Sequence, residues 1–159
     1  MAPAAARVLD APWCDLDQQI AERAGMSVAA IFDRDGEAGF RALERDAMAT
    51  ALDQPPQVIA AGGGWAAEPG NLARAELRAL TIYLSIDPAD AAGRLGASHG
   101  RPLLEGGPVE ERLRSLLAER ERWYLLAAIE IAVGRASIES AASALATAAR
   151  QYGEWSNAL

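Results

Sequence analysis

Four short apolar runs, spaced along a chain whose remaining segments carry helical patterns, constrain this fold more than any other feature. They are 11–15, 58–61, 80–86 and 128–133, each bounded by turn residues and each too short for a buried helix. Between them, residues 16–24 and 27–33 form two short helical patterns split by Gly25, and 37–52 places Phe40, Leu43, Ala47 and Leu52 on one face. Pro55 and Pro56 stop that pattern before the second run. Further helices are predicted over 71–79, from Pro88 to about Leu95, over 109–126 and over 137–151. Strands alternating with helices predict an α/β layered domain with a mainly parallel sheet. The chain of 159 residues, 51% hydrophobic, is about one domain's worth and has ample material for a core.

Charge and cysteine content narrow the function. A net charge of -7 opposes nucleic-acid binding, which needs clustered cations to neutralise phosphates. All 15 positive side chains are arginine; the 159 residues contain no lysine. Cys14 is the single cysteine, so no intrachain disulfide forms and a reducing cytoplasm is the expected setting. The alanine-rich start, Met1 to Val8, is too short for a signal peptide's apolar region, and no later run approaches the roughly 20 apolar residues of a membrane span. The expectation is a soluble monomer with no membrane or nucleic-acid partner.

The chemistry-bearing residues cluster at strand ends. In a parallel α/β sheet ligands bind beyond the carboxyl ends of the strands, where Gly62, Gly63 and Gly64 fall, as do Asp15 and Asp17. Three glycines in a row read either as a tight turn needing positive φ or as backbone that something must approach closely. They are not a phosphate loop: that loop needs GxxxxGK[ST], whose lysine neutralises the transferring phosphates, and GxGxxG is absent as well. Asp15 and Asp17 are suited to holding a metal or accepting a proton, and Asp17, just before "QQIAERA", also reads as a helix cap. In "GEAGFRALE", Arg41 and Glu44 are three apart and can pair, as a surface ion pair commonly does. Residues 96–108, "GASHGRPLLEGGP", read as a lid or long loop.

Taken together, "PWCDLDQQIAERAGMSVAAIFDRDGEAGFRALE", "VIAAGGG", "RLGASHGRPLL" and "RERWY" resemble the shikimate kinase family, in its order and spacing from about Ala6 to Arg150. Each motif alone is weak; their joint order is specific. The resemblance implies a P-loop kinase fold and transfer of the γ-phosphoryl of ATP to the 3-hydroxyl of shikimate, with Mg2+, in aromatic amino-acid biosynthesis. It places Asp17 on the shikimate hydroxyls as the base, and Asp15 in the magnesium environment, through water. Arg41 and Arg120 match the two arginines that grip the substrate carboxylate, with Glu44 holding Arg41. Gly62, Gly63 and Gly64 match substrate-contacting glycines. Arg101 matches the lid arginine that closes over ATP and stabilises developing charge, and Arg94 an arginine near the adenine. His99, in the lid, is expected to be exposed and without a catalytic role, and Trp65 to pack against the sheet.

One part of the family pattern is missing. The first strand and the GxxGxGKS(T) loop precede the helix that leads into the DxD strand, and here that helix is expected to be barely present. In the family that first strand lies between the strands ending at Gly62 and at Ile86, so the expectation is two strand pairs facing an empty slot. A chain cut in this way is expected to be inactive and weakly folded by itself. A start site placed too far downstream is the favoured explanation, over a decayed copy or a domain completed by another polypeptide. Two other functions compete with the kinase reading: a non-catalytic module or regulator that binds a small carboxylate, and a related kinase acting on a substrate such as gluconate. The paired arginines and "RPLL" favour shikimate over gluconate.

Overall fold

The computed structural model describes residues 1–95, 108–153 and 155. In chain order the elements are α1 (Ala2–Leu9), β1 (Trp13–Asp15), α2 (Leu16–Ala24), α3 (Val28–Leu52), β2 (Val58–Ala60), α4 (Gly63–Ala67), α5 (Asn71–Glu76), β3 (Ile82–Ser85), α6 (Pro88–Leu95), α7 (Val109–Tyr124), β4 (Ile129–Ala132) and α8 (Ile138–Tyr152). All four predicted strands form, trimmed at their ends, and each is parallel to its partner.

The strands divide into pairs. Among the described residues β1 and β2 make one two-stranded sheet and β3 and β4 another, with no ladder joining β2 to β3. This is the expected arrangement of two separated strand pairs. In the first pair Cys14 sits opposite Ile59 and Asp15 opposite Ala60, which brings the end of β1 level with the glycines that follow β2.

Local chemistry explains the helix limits. Ser27 caps α3 by accepting from the Ala30 N–H at 3.2 Å, and Ser137 caps α8 by accepting from Ser140 at 3.1 Å. Gly25 ends α2 in the left-handed region, at φ 65°. Residues 27–33 and 37–52 appear as two halves of α3, broken at Gly36, whose φ of 68° and ψ of -178° are open essentially only to glycine.

Four elements differ from the sequence expectation, among them α5, which stops at Glu76 instead of running to 79. A full helix, α1, covers Ala2–Leu9 instead of a barely present one; Ala4 and Ala5 pack against Ala142 of α8, where small side chains let the two helices approach closely. Helix α7 stops at Tyr124, two residues early, leaving Leu125 and Leu126 exposed. The three glycines open α4 rather than a turn, and none of them has positive φ.

The main core lies under the first sheet. Leu16, Ile20, Ile31, Phe40, Met48 and Trp65 belong to one buried cluster, with Leu16 and Ile31 at 0% exposure. Trp65 thus packs as expected. Cys14 is buried in the same cluster, and burial, then the charge of Asp15, raises its thiol pKa above the ordinary value, so it stays a neutral packing group.

Candidate functional site

The first sheet delivers its polar residues to one place. Asp15, at the end of β1, is the residue that caps α2: its Oδ1 accepts from the backbone N–H of Asp17 at 3.0 Å and of Gln18 at 3.3 Å. The cap expected of Asp17 is therefore made by Asp15, because the helix begins at Leu16. Asp17 lies exposed in the first turn of α2, among groups that also reach Gly62: a Cβ added at Gly62 would stand 3.6 Å from Asp17 Oδ1 and 3.1 Å from Glu44 Oε1.

Arg41 and Glu44 form a buried pair, not a surface one. Their side chains are 8% and 2% exposed, and Arg41 Nη1 donates to Glu44 Oε2. Arg41 Nη2 donates to Glu37 Oε1 at 2.9 Å. Burial acts to lower the Arg41 pKa, but hydrogen bonds and charge attraction from Glu44 and Glu37 outweigh it and hold the guanidinium charged. For Glu44 burial prevails: it raises the pKa against the opposing effect of Arg41, and the charges of Asp17 and Glu68 add to the rise.

The glycines are explained by what touches them. A methyl group at Gly64 would overlap the Arg41 guanidinium, and one at Gly63 would stand 2.7 Å from the Tyr124 hydroxyl. Close approach, not a special dihedral, is what these positions require; the turn expected from positive φ is replaced by helix N-terminal backbone laid against side chains. Tyr124 is itself held by Tyr83, with ring centroids 5.3 Å apart.

The other sequence candidates are placed less centrally. Arg120 lies one turn before Tyr124 on α7, half-buried and on the same helical face. Arg94 Nη2 donates to the carbonyls of Val133 at 3.2 Å, Ala136 at 2.9 Å and Gly134, clipping α6 to the loop after β4. Arg101, His99 and all of the expected lid at 96–108 except Pro108 lie outside the described residues. Sequence reasoning passed over Glu37 and Tyr124. The signal for Glu37 was its four-residue offset from Arg41; Tyr124 carried none, because its contact with Gly63 crosses the fold.

These residues have the chemistry to hold an anionic polyol. A buried guanidinium with a planar fork of donors fits a carboxylate, and Asp17 and the backbone at Gly62 to Gly64 are suited to hydroxyl groups. No group of three or more metal-ligating His, Cys, Asp or Glu side chains occurs among the described residues, and Asp15, the magnesium candidate, spends one oxygen on two backbone donors.

Comparison with known proteins agrees with this chemistry. The shikimate kinase family model matches residues 1–149. The chain is 41% identical to the shikimate kinase of Paracidovorax citrulli over 125 residues, 77% of this chain and 68% of that protein. It is 43% identical to that of Thermobifida fusca over 134 residues, 83% of this chain and 76% of that one. A match to the Stenotrophomonas maltophilia (strain K279a) enzyme spans 62% of that protein's length. In three dimensions it is similar to the crystal structure of shikimate kinase from Bacteroides thetaiotaomicron, with TM-score 0.84 and 30% identity over 93% of this chain and 89% of that one. It is also similar to the Acinetobacter baumannii shikimate kinase solved in complex with shikimate, with TM-score 0.82 and 26% identity over 99% of this chain and 87% of that one. By the family match over residues 1–149 and by relatives more than 40% identical over most of its length, the chain belongs to the shikimate kinase family.

Proposed function

We propose that the described residues form the shikimate-holding side of a shikimate kinase, which transfers the γ-phosphoryl of ATP to the 3-hydroxyl of shikimate in the cytoplasm. The observation that carries the reading is the buried Arg41 guanidinium laid on Gly64, with Asp17 and Glu44 both within reach of Gly62. Arg41 takes the substrate carboxylate, aided by Arg120 from α7, and Glu44 fixes the rotamer of Arg41. Asp17 orients the 3-hydroxyl and accepts its proton as the O–P bond forms, so the phosphoryl group moves from the ATP leaving oxygen to the substrate oxygen. Asp15 fixes the start of α2 and with it Asp17. Arg101 serves ATP from the lid, with Arg94 on the adenine side, and Mg2+ accompanies the nucleotide.

Residues 1–159 contain no lysine, so the phosphate-neutralising lysine of the P-loop is not among them. We therefore expect these residues to bind shikimate without turning it over. Calorimetric titration with shikimate, paired with a coupled assay for ADP release, tests both halves. Binding with no ADP release is the expected result; no binding, with the fold intact, removes the carboxylate grip. In a form carrying the P-loop, Asp17→Asn should abolish turnover and spare shikimate binding. Undiminished turnover removes Asp17 from the mechanism. The missing lysine also favours a second reading, a non-catalytic small-carboxylate sensor, which is supported if a P-loop-bearing form still releases no ADP.

A further inference from the structure

The restart of α3 at Glu37 has a consequence for substrate entry. Gly36 breaks the helix, and the second half begins with Glu37, whose carboxylate comes back over the next turn to meet Arg41. The guanidinium is thus flanked by two carboxylates of opposite character: the Glu44 side chain is 2% exposed and the Glu37 side chain 57%. One positive charge already faces two negative ones, and Asp17 and Glu68 add theirs to the same neighbourhood. Even with Arg120 brought to the same carboxylate, a substrate arriving at Arg41 meets a surplus of negative charge from Glu37, Glu44, Asp17 and Glu68 unless one of the two partners leaves.

Only one of them leaves easily. Withdrawing Glu44 strands a buried charge without its partner, which is a costly change. Glu37 can swing into water, where its carboxylate is fully solvated, so this part-buried pair, with its acid end already in solvent, opens at lower cost than the Arg41–Glu44 pair. It also occupies Nη2, the edge of the guanidinium that Glu44 does not use. We propose that Glu37 is an exchangeable internal anion: it holds the Nη2 edge of Arg41 until the carboxylate of the substrate replaces it, and so sets the affinity threshold for entry. This rests on the reading of Arg41 as the carboxylate grip.

Glu37→Gln removes the competing charge while keeping the side-chain shape. By calorimetry the variant should bind shikimate about fivefold more tightly, the upper end of the exposed-pair range, as fits a pair buried at its arginine end. Its thermal midpoint should stay near that of the parent chain, since Glu37 is exposed. The methyl ester of shikimate, which carries no charge, should bind parent and variant equally. Unchanged or weaker shikimate binding by the variant overturns the exchange, as does an equal gain for the ester. Failure of the reading beneath it looks different: if Arg41→Met binds shikimate as the parent does, the grip itself is wrong.

Discussion

The two strand pairs of this chain are built to different standards. Around β1 and β2 the helices α2, α3, α4 and α5 bury a continuous apolar cluster that includes Leu16, Ile31, Phe40 and Trp65, and the Arg41–Glu44 pair sits against it. Around β3 and β4 no residue of β3, α6 or α7 is fully buried, Glu130 and Ala132 face solvent, and an open hollow of about 300 Å³ lies between the end of β3 and α7, lined in part by Tyr83, Asp87, Leu117 and Glu121. The second pair is held by narrower ties: Thr81 Oγ1 accepts from the Ala128 N–H at 2.9 Å and donates to Glu76 at 2.6 Å, and Arg94 clips α6 to the loop after β4. The buried Arg41–Glu44 pair is placed on the half that can hold it rigidly. A guanidinium must be fixed before its fork selects a carboxylate, and only a well-packed surround fixes it.

The sharpest way to break this contrast is to cut a cavity in each half. Ile31→Ala, at 0% exposure, should cost about 4 kcal/mol in urea unfolding, whereas Leu84→Ala in half-buried β3 should cost about 1. Equal losses would show that the second half is packed as firmly as the first. Arg41→Met should follow at about 3 kcal/mol, because it leaves Glu44 buried without its cation. The same denaturation series would read a loss near zero if Glu44 escapes to solvent.

Gly64→Ala comes next. Its methyl group would displace the Arg41 guanidinium, so shikimate affinity should fall roughly tenfold, about 1.4 kcal/mol, with less effect on unfolding. Calorimetry showing parental affinity would detach Arg41 from the glycines. The smallest effect concerns pH. Burial raises the Glu44 pKa above its ordinary 4.5, so just above pH 4.5 the folded chain keeps a proton that the unfolded chain has released. That contribution is full below 4.5 and is lost as pH rises through the folded value. Glu44→Gln has no such dependence, so its stability relative to the parent should improve with rising pH across that window. Parallel curves from urea midpoints would place the folded Glu44 at its ordinary value.

Legibility of the site followed sequence distance. The pair Arg41–Glu44 and the neighbour Glu37 lie on one helix, where offsets of three and four residues already predict contact. That the pair is buried did not follow, since burial depends on α4 laying its glycines over the guanidinium from about twenty residues away. Tyr124 against Gly63 spans the whole fold and left no local trace. The glycines left two readings open, a turn and a point of close approach, because composition alone does not separate a need for space from a need for positive φ; the structure shows close approach, by the side chains of Arg41 and Tyr124.

By itself the order of residues determined the alternation of parallel strands and helices, the strand-end position of the aspartates and glycines, and the absence of a lysine for phosphate. Short-range periodicity and backbone chemistry are sufficient for each of these. Only the tertiary structure decided that Asp15 rather than Asp17 caps α2, that Arg41 is buried between an enclosed and an exposed carboxylate, and that the core gathers under one strand pair. Those outcomes depend on which surfaces exclude water, and exclusion is a property of elements brought together from distant parts of the chain.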